Sequence, residues 1–486
     1  MLRDRKGERA SAGANAPFTH TRVCRDDSVY TRPFETIRHL ETMQYLETMQ
    51  HAHLLSWHGK SAKCALCLLL LGLCASAQLP EPPGWFAGDV HVHLDCGVAG
   101  GLTVTPDDIF KRMQMNHLAV VGLLADMGNA EVRDAPRDLP KINGKDFSQS
   151  TRQQILHWDA EWHYDPRGVT FEQKAIGGHL ILLGLRHGEK KFSEYTYPVI
   201  EWAKQQRAVV GLAHMQYLHN DIPQDLDCCS PLEYPVETAL GSIDFLMEDV
   251  NGGESAIQAY YRLLNCGFRP GFAASTDFPC NRHEAPGTLL TYVRIPGEKL
   301  SYRGWIEGLA KGRTVVSRGA HDEFLDFKVN GTAQPGDEVR LKNKGPVRIS
   351  VRWPAAKPMT GRIELVRNGV VVASQDAKTA PGALALLEVS QEFSQSGWLC
   401  ARRMDAQGHR VHTGAVFVSV NGAPVRSSST DAEFFVRFID HLIRQTSPGG
   451  AWSDYFPHER EPAQNRYRLA KAIYERIAAQ AKAQGN

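Results

Sequence analysis

The chain has 486 residues and a mass of 54.0 kDa, which at roughly 150 residues per domain suggests about three domains. With 42% hydrophobic and 22% charged residues its composition is globular, excluding wholesale disorder and fibrous repeats. The 55 Lys and Arg against 54 Asp and Glu leave a net charge of +1. The basic excess of a nucleic-acid binder is missing, so no nucleic-acid partner is expected, although an average does not exclude a local patch.

Four of the ten cysteines, Cys24, Cys64, Cys67 and Cys74, fall before residue 78. The run Ala65–Cys74 (ALCLLLLGLC) follows Lys60 and Lys63 and precedes Ala75-Ser76-Ala77. Basic flank, short apolar core and small-x-small exit are the marks of a secretory signal peptide cleaved after Ala77. A membrane span needs about 20 apolar residues, twice this run, so no stable membrane anchor is expected. Leu73 is too bulky for lipoprotein processing at Cys74. A start at Met49 gives a leader of conventional length over 49–77, which makes residues 1–48, with LETMQ at both Leu40–Gln44 and Leu46–Gln50, a mis-assigned start or a disordered extension. The mature chain is then expected to be secreted or periplasmic. Its six cysteines, including the adjacent Cys228 and Cys229, leave 15 connectivities open.

From 78 to 320 short apolar runs alternate with helical patterns. The expected strands are Trp85–Val92, Leu118–Ala125, Leu180–Leu185, Ala208–Ala213, Ile243–Glu248, Gly271–Ser275, Leu289–Ile295 and Arg313–Ser317. The expected helices are Pro106–Asn116, capped by Thr105, then Tyr195–Gln206, Ala256–Asn265 and Trp305–Lys311, the last stopped by Gly312. This alternation predicts an α/β architecture, most economically a barrel with its chemistry at the strand ends.

Residues 321–425 read as a small all-β, sandwich-like domain: Phe324–Asn330, Val347–Trp353, Arg362–Val366, Val370–Ser374, Trp398–Arg402 and Ala415–Val420, with Asn368-Gly369 as a two-residue hairpin. Residues 426–486 form a helical tail, Asp431–Arg444 and Asn465–Lys482, with Leu469, Ile473 and Ile477 as a packing face.

The histidines test the barrel expectation. His91 and His93 close the first strand at i and i+2, a spacing that puts both on one face. His214 follows Gly211-Leu212-Ala213, and Asp277 follows Ala274-Ser275-Thr276. Between them lie Glu161 (WDAEWH) and His179 (GGHL). Four imidazoles and two carboxylates, three of the groups at strand ends, suit two divalent cations bridged by a carboxylate, with zinc, iron and manganese equally compatible. A lone histidine on a strand is more often a hydrogen-bonded core residue; it is the set that points to metal. His187, His219 and His321 fit no such pattern and read as surface or loop residues.

The order H-x-H, Glu, His, His, Asp resembles the PHP superfamily (polymerase and histidinol phosphatase), and more closely the CehA/McbA-type metallohydrolases, named after carbaryl-hydrolysing enzymes. The similarity covers about residues 84–340. It rests on Gly88–His93 (GDVHVH), Gly178–Gly184 (GHLILLG), Gly211–His214 (GLAH), Ser275–Asp277 (STD), Trp305–Gly319 (WIEGLAKGRTVVSRG) and Val329–Asp337 (VNGTAQPGD). The resemblance implies a distorted PHP-type β/α barrel that hydrolyses an ester, amide or carbamate, or phosphoester bond. It implies one metal on His91, His93, Glu161 and Asp277, and a second on Glu161, His179 and His214. Three further histidines of the fuller PHP pattern are missing: Leu94–Gly101 contains none, Met127 follows Asp126, and Pro279 stands two residues after Asp277. That implies two metals rather than three. His163 and His283 are the nearest substitutes, though neither has the right spacing.

Two alternatives stand beside this reading. An amidohydrolase barrel would bridge its metals with a carbamylated lysine, but Lys174 sits in a polar loop. A non-catalytic secreted binding protein on the same barrel would retain metal without turnover. On the hydrolase reading, a hydroxide held between the two cations attacks a small-molecule substrate. Asp277 takes its proton, Arg282 and His283 contact an anionic substrate or leaving group, and Glu248, with Asp249, supports the site from behind or binds substrate.

Overall fold

The computed structural model describes residues 78–486 except 97–101, 129–134, 165–173, 216–217, 219–220, 228, 250–253, 282–284 and 298. The expected leader, 49–77, and the stretch before it, 1–48, therefore lie outside the described residues. Among the described residues nine strands build the first half: β1 (Trp85–Val92), β2 (Val120–Asp126), β3 (Ile155–Trp162), β4 (Leu180–Leu183), β5 (Val209–Leu212), β6 (Phe245–Glu248), β7 (Gly271–Ala274), β8 (Leu290–Arg294) and β9 (Thr314–Ser317). Among the helices between them are α1 (Pro106–Met115), α2 (Tyr197–Gln205), α3 (Tyr234–Ala239), α4 (Glu254–Asn265) and α5 (Tyr302–Ala310). Local chemistry sets their ends. Thr105 and Asp108 close a reciprocal capping box at the start of α1. Gly312, at φ +65°, takes the left-handed conformation just past α5 that other residues adopt at a cost.

The α/β class is observed, in the form of one large mixed sheet. Strands β1, β2 and β3 run parallel, as do β5, β6 and β7, while β4 is antiparallel to both β3 and β5. On the other side of β1 come β8 and β9, both antiparallel to their neighbours. The ladder path ends at β7, so it does not describe the alternating parallel barrel that strand–helix alternation suggested. Two 2.8 Å hydrogen bonds between the Thr291 hydroxyl and the Ala274 backbone tie β7 to β8, and an isolated parallel bridge between Val92 and Phe278 ties the segment after β7 to β1. One face of the sheet, carrying Val90, Val120, Leu124, Ile181, Val209 and Met247, is filled by Tyr302, Trp305, Ile306 and Leu309 of α5.

Strand β3 was not anticipated. Its sequence, ILHWDAEW, alternates polar and apolar residues from His157 on, and the polar residues His157, Asp159 and Glu161 share a face that is buried rather than solvated. An inward polar stripe does not look like a buried strand, and it carries the bridging carboxylate.

The second half also differs from expectation. Strands β10 (Asp326–Val329), β12 (Gly345–Pro354) and β15 (Leu384–Phe393) form a separate antiparallel sheet, as a sandwich layer would. The others, β11 (Glu338–Leu341), β13 (Met359–Arg367), β14 (Val370–Thr379), β16 (Gly397–Asp405), β17 (Gly408–Thr413) and β18 (Val416–Val420), continue the large sheet through an antiparallel β17–β9 ladder. Asn368 and Gly369, at φ +51° and +85°, make the expected tight hairpin between β13 and β14.

The tail is helical as expected: α6 (Ser429–Thr446) and α7 (Arg460–Ala483). No helix among the described residues is long and apolar enough to cross a membrane. The packing face of α7 is rotated from the one anticipated. Leu469 is 60% exposed, and the buried face runs through Tyr467, Ala470, Tyr474 and Ile477 because two tyrosines reach α3, Tyr467 bonding Glu233 and Tyr474 the Pro235 carbonyl. His321, expected at the surface, is buried against the Tyr292 hydroxyl.

Packing of α5 on β1 leaves no room for a side chain at Gly88, where a Cβ would stand 2.6 Å from the Trp305 ring. The ring cannot retreat easily, since its indole N–H donates to the Phe86 carbonyl at 2.9 Å. Gly88→Ala is expected to lower unfolding free energy by about 1–3 kcal/mol in denaturant titrations. Gly345→Ala, where a Cβ meets nothing within 4 Å, should be close to neutral.

Candidate metal centre

The cluster starts with an irregularity in β1. Asp89 is opposite Val121 in the ladder, but Val92 is opposite Leu123, so β1 carries one extra residue between them. Such a bulge reverses which side chains face inward. Before it Gly88 and Val90 face α5, and after it His91 and His93 take that side, with Val92 turned to the outer core. Both histidines thus project over the end of β3, where Glu161 lies level with Asp126 of β2 and Ile181 of β4.

Glu161 is the hub. Its Oε1 lies 2.7 Å from His179 Nδ1, 3.2 Å from His91 Nε2 and 3.9 Å from His214 Nε2, and its Oε2 lies 3.1 Å from His93 Nε2. Asp277 Oδ1 stands 3.1 Å from His91 Nε2 and 3.6 Å from His93 Nε2. His214 Nε2 is 3.1 Å from His179 Nδ1. All six residues anticipated as ligands therefore meet at one place. His214 and Asp277 both sit just past strand ends at positive φ, +59° and +53°, in a region that non-glycine residues seldom occupy.

The groups outside the cluster are placed as follows. Asp89, fully buried, accepts hydrogen bonds from the Thr276 N–H at 3.2 Å, the Thr276 hydroxyl at 2.6 Å, the His91 N–H at 3.4 Å and the Ser275 hydroxyl. It ties the two segments that carry His91 and Asp277. Asp249 Oδ2 lies 2.8 Å from His214 Nδ1 and fixes that ring so that Nε2 faces the cluster. Glu248, named beside Asp249 as the supporting carboxylate, points elsewhere, to His409 at 2.8 Å and Arg318 at 3.5 Å. Successive strand residues face opposite sides, and Asp249 holds the site-facing place. His163 bonds Asp126 at 3.2 Å and stacks on His179 with ring centroids 4.8 Å apart. Arg282 and His283 lie outside the described residues. Lys174 is exposed and outside any strand, so the carbamylated-lysine alternative lacks its lysine here. Asp89 went unread because nothing in GDVHVH distinguishes a tether from a ligand.

The donor chemistry fits divalent cations. His91 Nε2 and His93 Nε2 are buried close to carboxylate oxygens, yet neither makes a hydrogen bond among the described residues. Ligands held about 2.0–2.2 Å from one ion stand roughly 3–3.5 Å from each other, the spacing seen here. Three triplets have donor atoms within 4.8 Å of one another: His91–His93–Asp277, His91–Glu161–His214 and His214–Asp249–Asp277.

Charge follows the same geometry. Burial pushes the Glu161 carboxyl up, but the His91 and His179 imidazoles outweigh it and hold the group well below the usual range. Burial lowers His93, and the adjacent Glu161 carboxylate, with Asp277 behind, reverses this and raises it to about 9. His214 rises to about 9 in the same way, burial being overcome by Asp249. His179 falls below its usual value because burial prevails over Glu161.

No protein-family model matches the chain, and no curated protein matches it. Among solved structures, a two-domain protein from Bacteroides vulgatus containing a predicted PHP-like metal-dependent phosphoesterase is similar at 13% identity, over 70% of this chain and 98% of that one, with a TM-score of 0.37. Endonuclease Q from Pyrococcus furiosus, a lesion-specific enzyme, is similar at 14% identity, over 46% of this chain and 56% of that one, with a TM-score of 0.31. Endonuclease Q bound to a 27-mer duplex substrate with an abasic lesion at its active site gives 12% identity and a TM-score of 0.29. Two of these structures are of a nucleic-acid enzyme, and the exclusion of nucleic acid drawn from net charge is corrected on that account. A charge of +1 averaged over 486 residues does not constrain the face around one site. What the cluster can do rests on its own geometry.

In the metal-free chain near neutral pH, His93 and His214 hold protons that a cation must displace. Metal uptake is therefore expected to release protons and to strengthen as pH rises from 6.5 towards about 9. Calorimetry in buffers of different ionisation enthalpy measures the release; heats independent of buffer would exclude it.

Proposed function

We propose that this chain is a secreted, metal-dependent hydrolase of the PHP superfamily, CehA/McbA type, with a barrel-like catalytic half that cleaves an ester, amide or carbamate, or phosphoester bond. The observation that carries this reading is the convergence of His91, His93, Glu161, His179, His214 and Asp277, with buried His91 and His93 nitrogens that find no hydrogen bond among the described residues. His91, His93 and Asp277 would hold one cation, His179 and His214 a second, and Glu161 would bridge them. Such a pair lowers the pKa of a shared water towards 7 and offsets charge on the attacked oxygen.

The protein's own groups divide the remaining work. Glu161 has both oxygens committed to imidazoles and is poorly placed to take a proton. Asp277 uses Oδ1 towards His91 and His93 and, at 15% side-chain exposure against 6% for Glu161, is the more accessible carboxylate. It is the general base, accepting the proton of the attacking water at Oδ2. Asp249 holds the His214 ring, and Asp89 keeps His91 and Asp277 in register. The disulfide between Cys96 and Cys280 supports export, since such bonds persist in oxidising compartments.

Purified full-length chain should contain two divalent ions per molecule by elemental analysis, and a chelator should abolish its activity. The substrate panel comprises aryl esters, aryl carbamates, phosphomonoesters, phosphodiesters and abasic duplex DNA. Asp249→Asn should weaken metal binding about 10–100-fold, and His91→Ala, which removes a ligand itself, by at least as much. A His91→Ala protein with full metal content and full activity would refute the assignment. Two bound ions without turnover anywhere in the panel would favour a binding module instead.

A further inference from the structure

A pocket of about 680 Å³ opens near the beginning of β3, away from the metal cluster. His157 on its wall and Glu161 in the cluster are four residues apart on that strand, roughly 13 Å at 3.3 Å per residue. Lys145, Arg186 and Arg207 line the pocket and make no ion pair among the described residues. Exposed cations alone would be an ordinary solvated rim.

The wall is less ordinary. Gln206 is 6% exposed, and its Oε1 accepts from the Arg186 N–H at 2.9 Å and the His187 N–H at 3.0 Å. That fixes the amide, yet its Nε2 donor is buried without a hydrogen-bond partner. His157 is 3% exposed, with Nδ1 2.9 Å from Asp146, and its Nε2 is likewise buried without a partner. Its ring stacks on Tyr302 at 3.9 Å, and the Tyr302 hydroxyl donates to Asp159, so this wall is held in place. Buried polar atoms without partners are rare in native proteins and commonly mark a missing ligand or water.

The third contribution is the N-terminus of α5, whose first residues Tyr302 and Arg303 line the same pocket. The Ser301 hydroxyl caps the Gly304 N–H, which leaves the first-turn N–H groups and the positive end of the helix for an anion. Arg303 itself is paired with Glu307 at 2.7 Å, so Lys145, Arg186 and Arg207 stand against the single Asp146 carboxylate and leave the pocket net positive.

Donors therefore approach from three segments: the start of α5, the Gln206 amide and the three cations. We infer that this pocket binds a tetrahedral oxyanion, a phosphate group either free or carried as a monoester, at a second site distinct from the metal cluster. Three directions of approach match a tetrahedral anion better than a planar carboxylate. With its Nδ1 proton on Asp146, His157 has an unpartnered Nε2 that can accept from the hydroxyl of a hydrogen phosphate.

The test uses the full-length protein in two backgrounds, parental and His91→Ala, titrated calorimetrically with inorganic phosphate, glycerol phosphate and acetate. Phosphate is expected to bind both backgrounds and acetate at least about tenfold more weakly. Gln206→Glu keeps the acceptor that holds Arg186 and His187 but replaces the free donor with a negative oxygen. It should weaken phosphate at least about tenfold with metal content unchanged. The exposed pair Arg186→Ala/Arg207→Ala should do the same and serves if Gln206→Glu fails to fold. Tighter binding of glycerol phosphate than of phosphate identifies an organic monoester as the ligand, and the reverse identifies the free ion. Phosphate binding that disappears in His91→Ala would place it at the metal cluster and overturn the inference. So would parental affinity in the variants, equal binding of acetate, or no binding at all.

Discussion

The Asp89 carboxylate holds the two halves of the candidate metal centre together. It is fully buried, and burial pushes its pKa up against the donors that surround it. Those donors come from Ser275 and Thr276, 186 and 187 residues away along the chain, and from the His91 backbone next to it. The Ser275 oxygen in turn accepts from the Val90 N–H at 3.1 Å. Strand β1 and the segment after β7 are not partners in a regular ladder, so this knot, with the single His93 N–H bond to the Phe278 carbonyl at 2.6 Å, fixes where Asp277 stands relative to His91 and His93. Each atom of the knot is satisfied, which is the condition under which a buried polar group specifies a geometry rather than destabilising it.

Given that frame, the site is an electrostatic balance around Glu161. One carboxylate is surrounded by four imidazoles, and it cannot form good hydrogen bonds with all of them at once. The residual mismatch, with His91 and His93 nitrogens near oxygens but unbonded, is the arrangement expected of groups that satisfy each other fully only through cations between them. The bulge in β1 has the same logic. A regular strand would have kept Val90 and Val92 on one side and sent His91 to the other.

Much of this was legible from residue order. The six clustered residues were marked by histidine spacing and by their positions after short apolar runs, signals that depend only on a strand ending where its chemistry begins. Strand β3 was invisible because its inward face is polar, and hydrophobic periodicity reports burial only where burial is apolar. Asp89 differs from any other aspartate solely in what lies across from it, which is long-range information. Of Glu248 and Asp249, named together as supporting groups, only Asp249 faces the site, because side chains alternate and one residue of phase decides between them. Likewise, Leu469, Ile473 and Ile477 form a helical stripe in sequence, yet α7 is turned by Tyr467 and Tyr474, whose hydroxyls find partners on or beside α3.

The seam between β9 and β17 bears on how the chain can be divided. Val411, His412 and Thr413 pair with Ser317, Val316 and Val315, so the sheet of the first half runs on into the second without an edge. A cut at residue 320, where the composition changes, would strip β9 of that neighbour and leave a bare strand of Thr314–Ser317 bordering buried valines. Unpaired edges of that kind recruit other chains. The all-β half is thus the lateral wall of the half that carries the histidine cluster, and the pair is one unit for engineering: swapping or trimming it requires supplying another strand at the same place.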